Sequence, residues 1–208
     1  RVGAPVLESE VIVFNTHSEY WSQGMFDALY EYLTGGGKVI FAGGNTMYRE
    51  VKPTRHGLRV ISQHIPSYLA TPVLGTSYTG DGFRTYGGYQ VETPGHWVFN
   101  GTDVSAGDSF GEYSANQPAQ GSLGEGGIGA SGFETDKVNR YSDLYAEGFQ
   151  TLAIGTNQQG PAHMVFKETD AQGWIFHSAS IALAERILGW KPEINFKQGI
   201  IKTIENDF

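Results

Sequence analysis

Three side chains that can take part in chemistry lie close together near the start of the chain: His17, Glu19 and Tyr20. An imidazole, a carboxylate and a phenol can each transfer a proton or bind a metal ion. The His-x-Glu spacing suits half of a metal site or an acid/base pair, with both side chains on one face only if the segment is extended. A histidine that holds loop carbonyls in place explains the same residues equally well, so both interpretations stay open.

A second candidate set offers only oxygen donors: Tyr20, Tyr48 and Glu134. Phenolates and carboxylates are hard donors that suit a highly charged cation such as ferric iron. A bound metal ion also lowers the pKa of tyrosine and of water. The alternative is that the tyrosines are packing residues with tethered hydroxyls, and spacing alone does not decide between the two.

Two strands and a helix should position these residues. The continuous apolar run that starts at Val11 is typical of a buried parallel strand. Ser22 as N-cap, followed by apolar residues at helical spacing up to Gly35, predicts an amphipathic helix of about three turns, and residues 38–42 form a second strand. A strand–helix–strand unit crosses over with parallel neighbours, so we expect Tyr20 and Tyr48 at the same sheet edge. Asn45, in the turn after the second strand, lies beside them.

The middle of the chain lacks a regular pattern. From residue 53 to about 145 glycine and proline interrupt every segment, which predicts a loop-rich insertion that forms a lid or part of a site. Strands are predicted again at 151–155, 162–167 and 173–178, and Asn195 begins a last helix that reaches Phe208. The string Gly107-Asp108-Ser109-Phe110-Gly111 matches the nucleophile elbow of serine hydrolases, but its flanks lack the strand and helix that the elbow needs.

Composition argues against several classes of protein. With 208 residues, a formal net charge of −8 and no basic cluster, the chain is not expected to bind nucleic acid. No apolar run approaches the length of about 20 residues that spans a bilayer, and the absence of cysteine removes disulfides and thiolate chemistry. The chain starts at Arg1 without an apolar signal core. We therefore expect a cytoplasmic protein and a chain that is part of a longer polypeptide or subunit assembly.

Three segments, taken in order, resemble the C-terminal domain of the large (beta) subunit of N,N-dimethylformamidase and its relatives. They are residues 17–22, 36–48 and 126–136, and the closing segment 195–208 also resembles the last helix of that domain. The resemblance implies a flavodoxin-like α/β fold, similar to class I glutamine amidotransferases, with helices on both faces of the sheet. Residues 1–208 would form a single α/β domain of this kind.

The resemblance also implies a mononuclear iron held by two tyrosines and one glutamate, which fall on Tyr20, Tyr48 and Glu134. The family carries a histidine two residues before this glutamate, where this chain has Gly132. The nucleophilic cysteine of the amidotransferases is absent, which excludes their glutaminase chemistry. Since the enzyme works with a small partner subunit, other subunits or an N-terminal region are expected as partners.

The sequence therefore predicts hydrolysis of a small amide, such as an N-substituted formamide, by water that a ferric ion activates. Tyr20, Tyr48 and Glu134 would bind the metal ion. His17, Glu19 and Asn45 would orient water or substrate, and the glycine-rich segment 121–132 would line the pocket. The alternative is a non-catalytic binding or assembly domain of the same fold, whose aromatic-rich loops contact a carbohydrate or a protein.

Overall fold

The computed structural model describes residues 10–62, 67–83, 85–112, 129–139 and 146–186. Its helices are α1 (Gln23–Thr34), α2 (Ser67–Leu74) and α3 (Ile181–Arg186), with a short 3-10 helix at Trp97–Phe99. Its strands are β1 (Val11–His17), β2 (Tyr20–Trp21), β3 (Lys38–Gly44), β4 (Arg49–Thr54), β5 (Gly57–Val60), β6 (Ser77–Tyr78), β7 (Tyr86–Gly87), β8 (Tyr89–Val91), β9 (Ser109–Phe110), β10 (Ser131–Gly132), β11 (Asp136–Lys137), β12 (Gln150–Gly155), β13 (His163–Glu168) and β14 (Trp174–His177).

A seven-stranded sheet dominates this part of the chain, in the order β1-β3-β14-β13-β12-β8-β9. Its first three strands are parallel and the remaining neighbours are antiparallel. Two two-stranded sheets, β10-β7 and β11-β6, and a three-stranded sheet, β2-β4-β5, accompany it. The predicted loop-rich segment 53–145 thus contributes β8 and β9 to the far edge of the main sheet.

The first strand–helix–strand unit forms as predicted. β1 and β3 pair in parallel from Val11 opposite Lys38 to His17 opposite Gly44. The Ser22 hydroxyl accepts a hydrogen bond from the backbone N–H of Met25, and the helix ends at Gly35. The predicted apolar face of α1 is only partly buried, since Leu29 and Leu33 lie in the core whereas Met25 and Tyr30 are exposed.

The flavodoxin-like α/β prediction, with helices on both faces of the sheet, is wrong. The described residues form fourteen strands in four sheets and only three helices, so the protein is mostly β. The physical reason lies in the second half of the main sheet. The strands β12, β13 and β14 follow one another through short turns, and such turns join antiparallel strands because a parallel pair needs a crossover of a dozen or more residues.

Two apolar clusters form the core. One joins α1 and α2 to the parallel strands and includes Trp21, Phe41 and Met47. The other covers the antiparallel half and includes Tyr89, Leu152 and Phe166. The segments 113–128 and 187–208, which contain most of the predicted pocket loop and the predicted last helix, lie outside the described residues. Among the described helices none is long and apolar enough to cross a membrane.

Candidate active site

Strands β1 and β3 end at the same edge of the sheet, and the segments that follow these two strands pair with each other again. Beyond His17 and Gly44, β2 and β4 form a short parallel pair in which Tyr20 lies opposite Arg49. Trp21 is buried and its indole N–H donates to the carbonyl of Ser18. Because neighbouring strand residues point to opposite sides, Tyr20 faces outward and is 53% exposed. This second pairing brings Tyr20 next to the residue that follows Tyr48.

A cavity of about 350 Å³ opens at this edge. Its lining comprises Glu19, Tyr20, Asn45, Tyr48, Arg49, Tyr78, Phe83 and Glu134. Five of the six residues named from the sequence therefore line one cavity. The sixth, His17, contacts it through Glu19, since His17 Nδ1 and Glu19 Oε1 are 2.6 Å apart.

Glu134 reaches the cavity from a tightly constrained loop. The preceding residue, Phe133, has a positive φ of 71°, and the backbone N–H of Glu134 donates to the carbonyl of Gly132 at 3.1 Å. On the other side, a Cβ at Gly44 would overlap the carbonyl oxygen of Glu134. Only glycine at this last position of β3 allows the loop to approach so closely.

Asn45 and Tyr48 belong to one left-handed turn. Asn45 and Met47 both have φ near 55°, a conformation that asparagine tolerates better than most residues. The Asn45 side-chain Nδ2 donates to Glu134 Oε2 at 3.2 Å. Asp136 fixes this turn from the protein interior. It is fully buried and accepts hydrogen bonds from the backbone N–H groups of Asn45 and Thr46.

Burial sets the protonation of the acidic groups. Burial raises the pKa of Glu134, the Asn45 hydrogen bond opposes this rise, and the nearby Glu19 adds to it. Burial also raises the pKa of Tyr78 to about 12, with further contributions from Glu134 and Tyr48. The Tyr78 ring packs edge-on against Tyr48, with ring centroids 5.1 Å apart and an interplanar angle of 84°.

Behind the turn lies a buried Asp136–His177 pair. His177 Nε2 is 3.4 Å from Asp136 Oδ2, and its Nδ1 lies 3.0 Å from the Thr76 hydroxyl and 3.2 Å from the Leu74 carbonyl. Burial raises the pKa of Asp136 to about 8 and lowers the pKa of His177 to about 4. Burial thus disfavours the charged form of each group.

Gly132 stands where the resemblance places a histidine. A Cβ at this position would lie 2.7 Å from the Thr85 carbonyl oxygen and 2.6 Å from a ring carbon of Tyr86, closer than side chains approach such atoms. The backbone therefore leaves no room for a histidine here. The imidazole beside Glu134 in this structure is that of His17.

The donor set fits a metal ion. One ligand atom from each of His17, Glu19 and Glu134 lies within 4.8 Å of the others, so one cation can lie between them. Tyr20 and Tyr48 line the same cavity. A carboxylate, phenol and imidazole set combines hard oxygen donors with a nitrogen donor, which suits an iron ion.

Sequence reasoning missed five residues of this region: Arg49, Tyr78, Phe83, Asp136 and His177. Tyr78 and Asp136 lie on two-residue strands, which leave no periodic pattern in the sequence. Asp136 follows Glu134 by two residues in the segment Gly-Phe-Glu-Thr-Asp, and this proximity was the only local signal. The Ser109 string shows no elbow, since Ser109 lies on β9 opposite Gln90.

The fold and the site together define a β-rich domain with a cavity lined by two glutamates, three tyrosines and an arginine. The family model described as N,N-dimethylformamidase beta subunit-like, C-terminal, matches residues 3–188, and the chain belongs to this family. The resemblance drawn from the three motif segments is thereby confirmed. No curated protein matches the chain.

Proposed function

We propose that this protein hydrolyses a small amide, such as an N-substituted formamide, with a single ferric ion held by Tyr20, Tyr48 and Glu134. The family to which the chain belongs supports amide hydrolysis at a coarse level. The observation that carries the finer proposal is the shared cavity, which is lined by Tyr20, Tyr48 and Glu134 from three separate segments. When bound, the metal ion would supply Lewis acidity to the amide carbonyl and to a water molecule.

The remaining side chains would orient water and substrate. Glu19 is only 13% exposed, and its hydrogen bond to His17 makes the pair suitable for holding a proton taken from water. Asn45 donates to Glu134, which fixes the direction of that carboxylate. Phe83 supplies an apolar surface in the cavity lining for the alkyl groups of the amide.

We propose further that the chain works with other subunits. The description of its family names a beta subunit and a C-terminal region, so both a partner subunit and additional sequence are consistent with it. The binding-domain alternative makes a different prediction, because a domain without chemistry has no need to retain iron.

Iron content and activity test the proposal together. The purified protein, with any chains that copurify, is assayed for iron, for visible absorption and for amine release from N,N-dimethylformamide. We expect about one iron per chain, a tyrosinate-to-iron charge-transfer band and measurable hydrolysis. Protein that neither contains nor takes up iron and releases no amine would overturn the proposal and favour the binding domain.

The Tyr48→Phe variant tests the ligand assignment. Removing one phenol oxygen should abolish the absorption band and most iron retention, while the ring still packs against Tyr78 and the fold persists. The matched control is Tyr30→Phe, since Tyr30 is an exposed residue of α1 that does not line this cavity. Unchanged iron content in Tyr48→Phe contradicts the assignment.

A further inference from the structure

Tyr78 is a third phenol at the site, and the sheet fixes its place. It belongs to β6, which pairs antiparallel with β11 so that Tyr78 lies opposite Asp136. Asp136 follows Glu134 by two residues and is itself fully buried. The position of Tyr78 relative to Glu134 is therefore set by a backbone ladder, which is more rigid than a loop.

The ring of Tyr78 is held by packing, whereas its hydroxyl has no hydrogen-bond partner among the described residues. The ring packs edge-on against Tyr48, and the residue lines the cavity with Glu19 and Glu134. Within the described part of the chain, the Tyr78 hydroxyl makes no hydrogen bond to another protein group. Its donor capacity thus remains available to a molecule bound in the cavity.

The other polar groups of the cavity have partners of their own. The Asn45 side-chain N–H already donates to Glu134, and His17 is hydrogen-bonded to Glu19. Tyr20 and Tyr48 are assigned to the metal ion by the proposed function. Arg49 also lines the cavity, with its guanidinium 5.1 Å from the centroid of the Tyr48 ring. A bound amide needs a donor close to its carbonyl oxygen, because negative charge develops on that atom during attack by water.

We propose that the Tyr78 hydroxyl donates a hydrogen bond to the carbonyl oxygen of the bound amide and stabilises the charge that develops there. This inference rests on the proposed function and adds a catalytic residue to it. Tyr78 keeps its proton throughout: water supplies the attacking oxygen, and the proton that the Glu19–His17 pair takes from this water passes to the nitrogen of the leaving amine as the C–N bond breaks. A donor of this kind stabilises the transition state more than the ground state, so its removal should lower kcat and leave KM nearly unchanged.

The Tyr78→Phe variant tests the proposal, because phenylalanine keeps the ring packing and removes only the donor. With N,N-dimethylformamide we expect kcat to fall about 100-fold and KM to change by less than about threefold. Iron content and the position of the absorption band should equal those of the unmodified protein. The affinity for formate, measured from the change it causes in that band, should fall about tenfold, because the carboxylate loses a donor.

Each result separates this inference from the proposed function. Unmodified protein without iron or hydrolysis overturns the proposed function before any variant is made. If the unmodified protein is active and Tyr78→Phe retains its kcat and its formate affinity, the role of Tyr78 is overturned while the proposed function stands. Loss of iron from Tyr78→Phe, with Tyr30→Phe unaffected, would also overturn the donor role, because Tyr78 would then serve metal retention.

Discussion

The backbone N–H of Asn45 donates a 2.8 Å hydrogen bond to Asp136, a residue 91 positions further along the chain. The next N–H, that of Thr46, donates to the other oxygen of the same carboxylate at 3.2 Å. Asp136 is fully buried and lies two residues beyond Glu134. One carboxylate therefore ties the loop that carries Glu134 to the turn that carries Asn45 and Tyr48.

The Asp136→Asn variant should lose both stability and iron. An asparagine has one acceptor oxygen, so its amide group would face a second backbone N–H and leave that buried donor without a partner. The free energy of unfolding should fall by about 2 kcal/mol, measured by urea denaturation, and iron retention should weaken as the turn loosens.

A suitable control for this variant is Asp81→Asn. Asp81 is largely exposed and forms an ion pair with Lys137 at the surface. Exposed ion pairs of this kind contribute little to the free energy of unfolding, about 0 to 1 kcal/mol. Equal losses of stability in Asp81→Asn and Asp136→Asn would show that the two backbone hydrogen bonds accepted by Asp136 have no special role.

The buried Asp136–His177 pair predicts how stability depends on pH. The pKa of Asp136 is raised from 3.8 to about 8, so the folded protein keeps this proton where the unfolded chain has lost it. The pKa of His177 is lowered from 6.5 to about 4, so the folded protein lacks a proton that the unfolded chain binds. Between about pH 4 and 6.5 the pair holds one proton in the folded protein and one in the unfolded chain. The two effects on stability therefore cancel in this range.

Above pH 6.5 the balance changes. The unfolded pair has then lost its proton while the folded pair retains one up to about pH 8, so the stability from this pair should fall by about 2 kcal/mol over that interval. In Asp136→Asn only His177 remains, and stability should instead fall as the pH drops below 6.5. Urea denaturation at several pH values measures both slopes, and the same slope in both proteins would contradict the assignment.

Gly44→Ala should disturb the site directly. A Cβ at residue 44 would overlap the carbonyl oxygen of Glu134 and lie 3.3 Å from the backbone nitrogen of Ile181. We expect a loss of about 1 to 3 kcal/mol in unfolding free energy from the forced backbone shift, together with weaker iron retention.

The matched control is Gly24→Ala, on helix α1. A Cβ there has no atom within 4 Å, so alanine should stabilise the helix by roughly 0.5 to 1 kcal/mol. Thermal unfolding of the two variants should thus shift in opposite directions. A Gly44→Ala protein as stable and as rich in iron as the parent would show that this close approach is not required.

Ser180→Ala should loosen the segment before Glu134. The Ser180 hydroxyl donates to the carbonyl of Ala130 and accepts from the backbone N–H of Gly132, all three residues being buried. Its removal leaves a buried N–H and a buried carbonyl without this partner, which should cost about 2 kcal/mol. The activity should fall as well, because Gly132 lies two residues before Glu134.

Ser109→Ala serves as the control for that variant. Ser109 is exposed on β9, so its loss should change stability by less than about 0.5 kcal/mol. It also tests the serine-hydrolase interpretation of the Gly107–Gly111 string. Amide hydrolysis that persists in Ser109→Ala excludes Ser109 as a nucleophile, whereas loss of activity there would contradict the proposed site.

The candidate site could be predicted in part, because some of its residues follow long elements with clear patterns. Glu19 and Tyr20 come just after β1 and Asn45 just after β3, and these parallel strands end at one edge. Tyr78 could not be found this way, since its place depends on pairing across 58 residues with Asp136. Two-residue strands carry too few side chains to show a period of two.

The sequence by itself determined the β1-α1-β3 unit and membership of the family, because apolar periodicity, the Ser22 cap and the motif segments are all local features. It did not determine the rest of the sheet. An apolar run such as residues 150–155 fits a buried strand of either direction, and only its pairing with β8 and β13 makes it antiparallel. Only the tertiary structure shows that Asp136 accepts hydrogen bonds from the turn at Asn45 and Thr46. A hydrogen bond between residues so far apart in sequence depends on how the chain packs, and local residue spacing does not predict it.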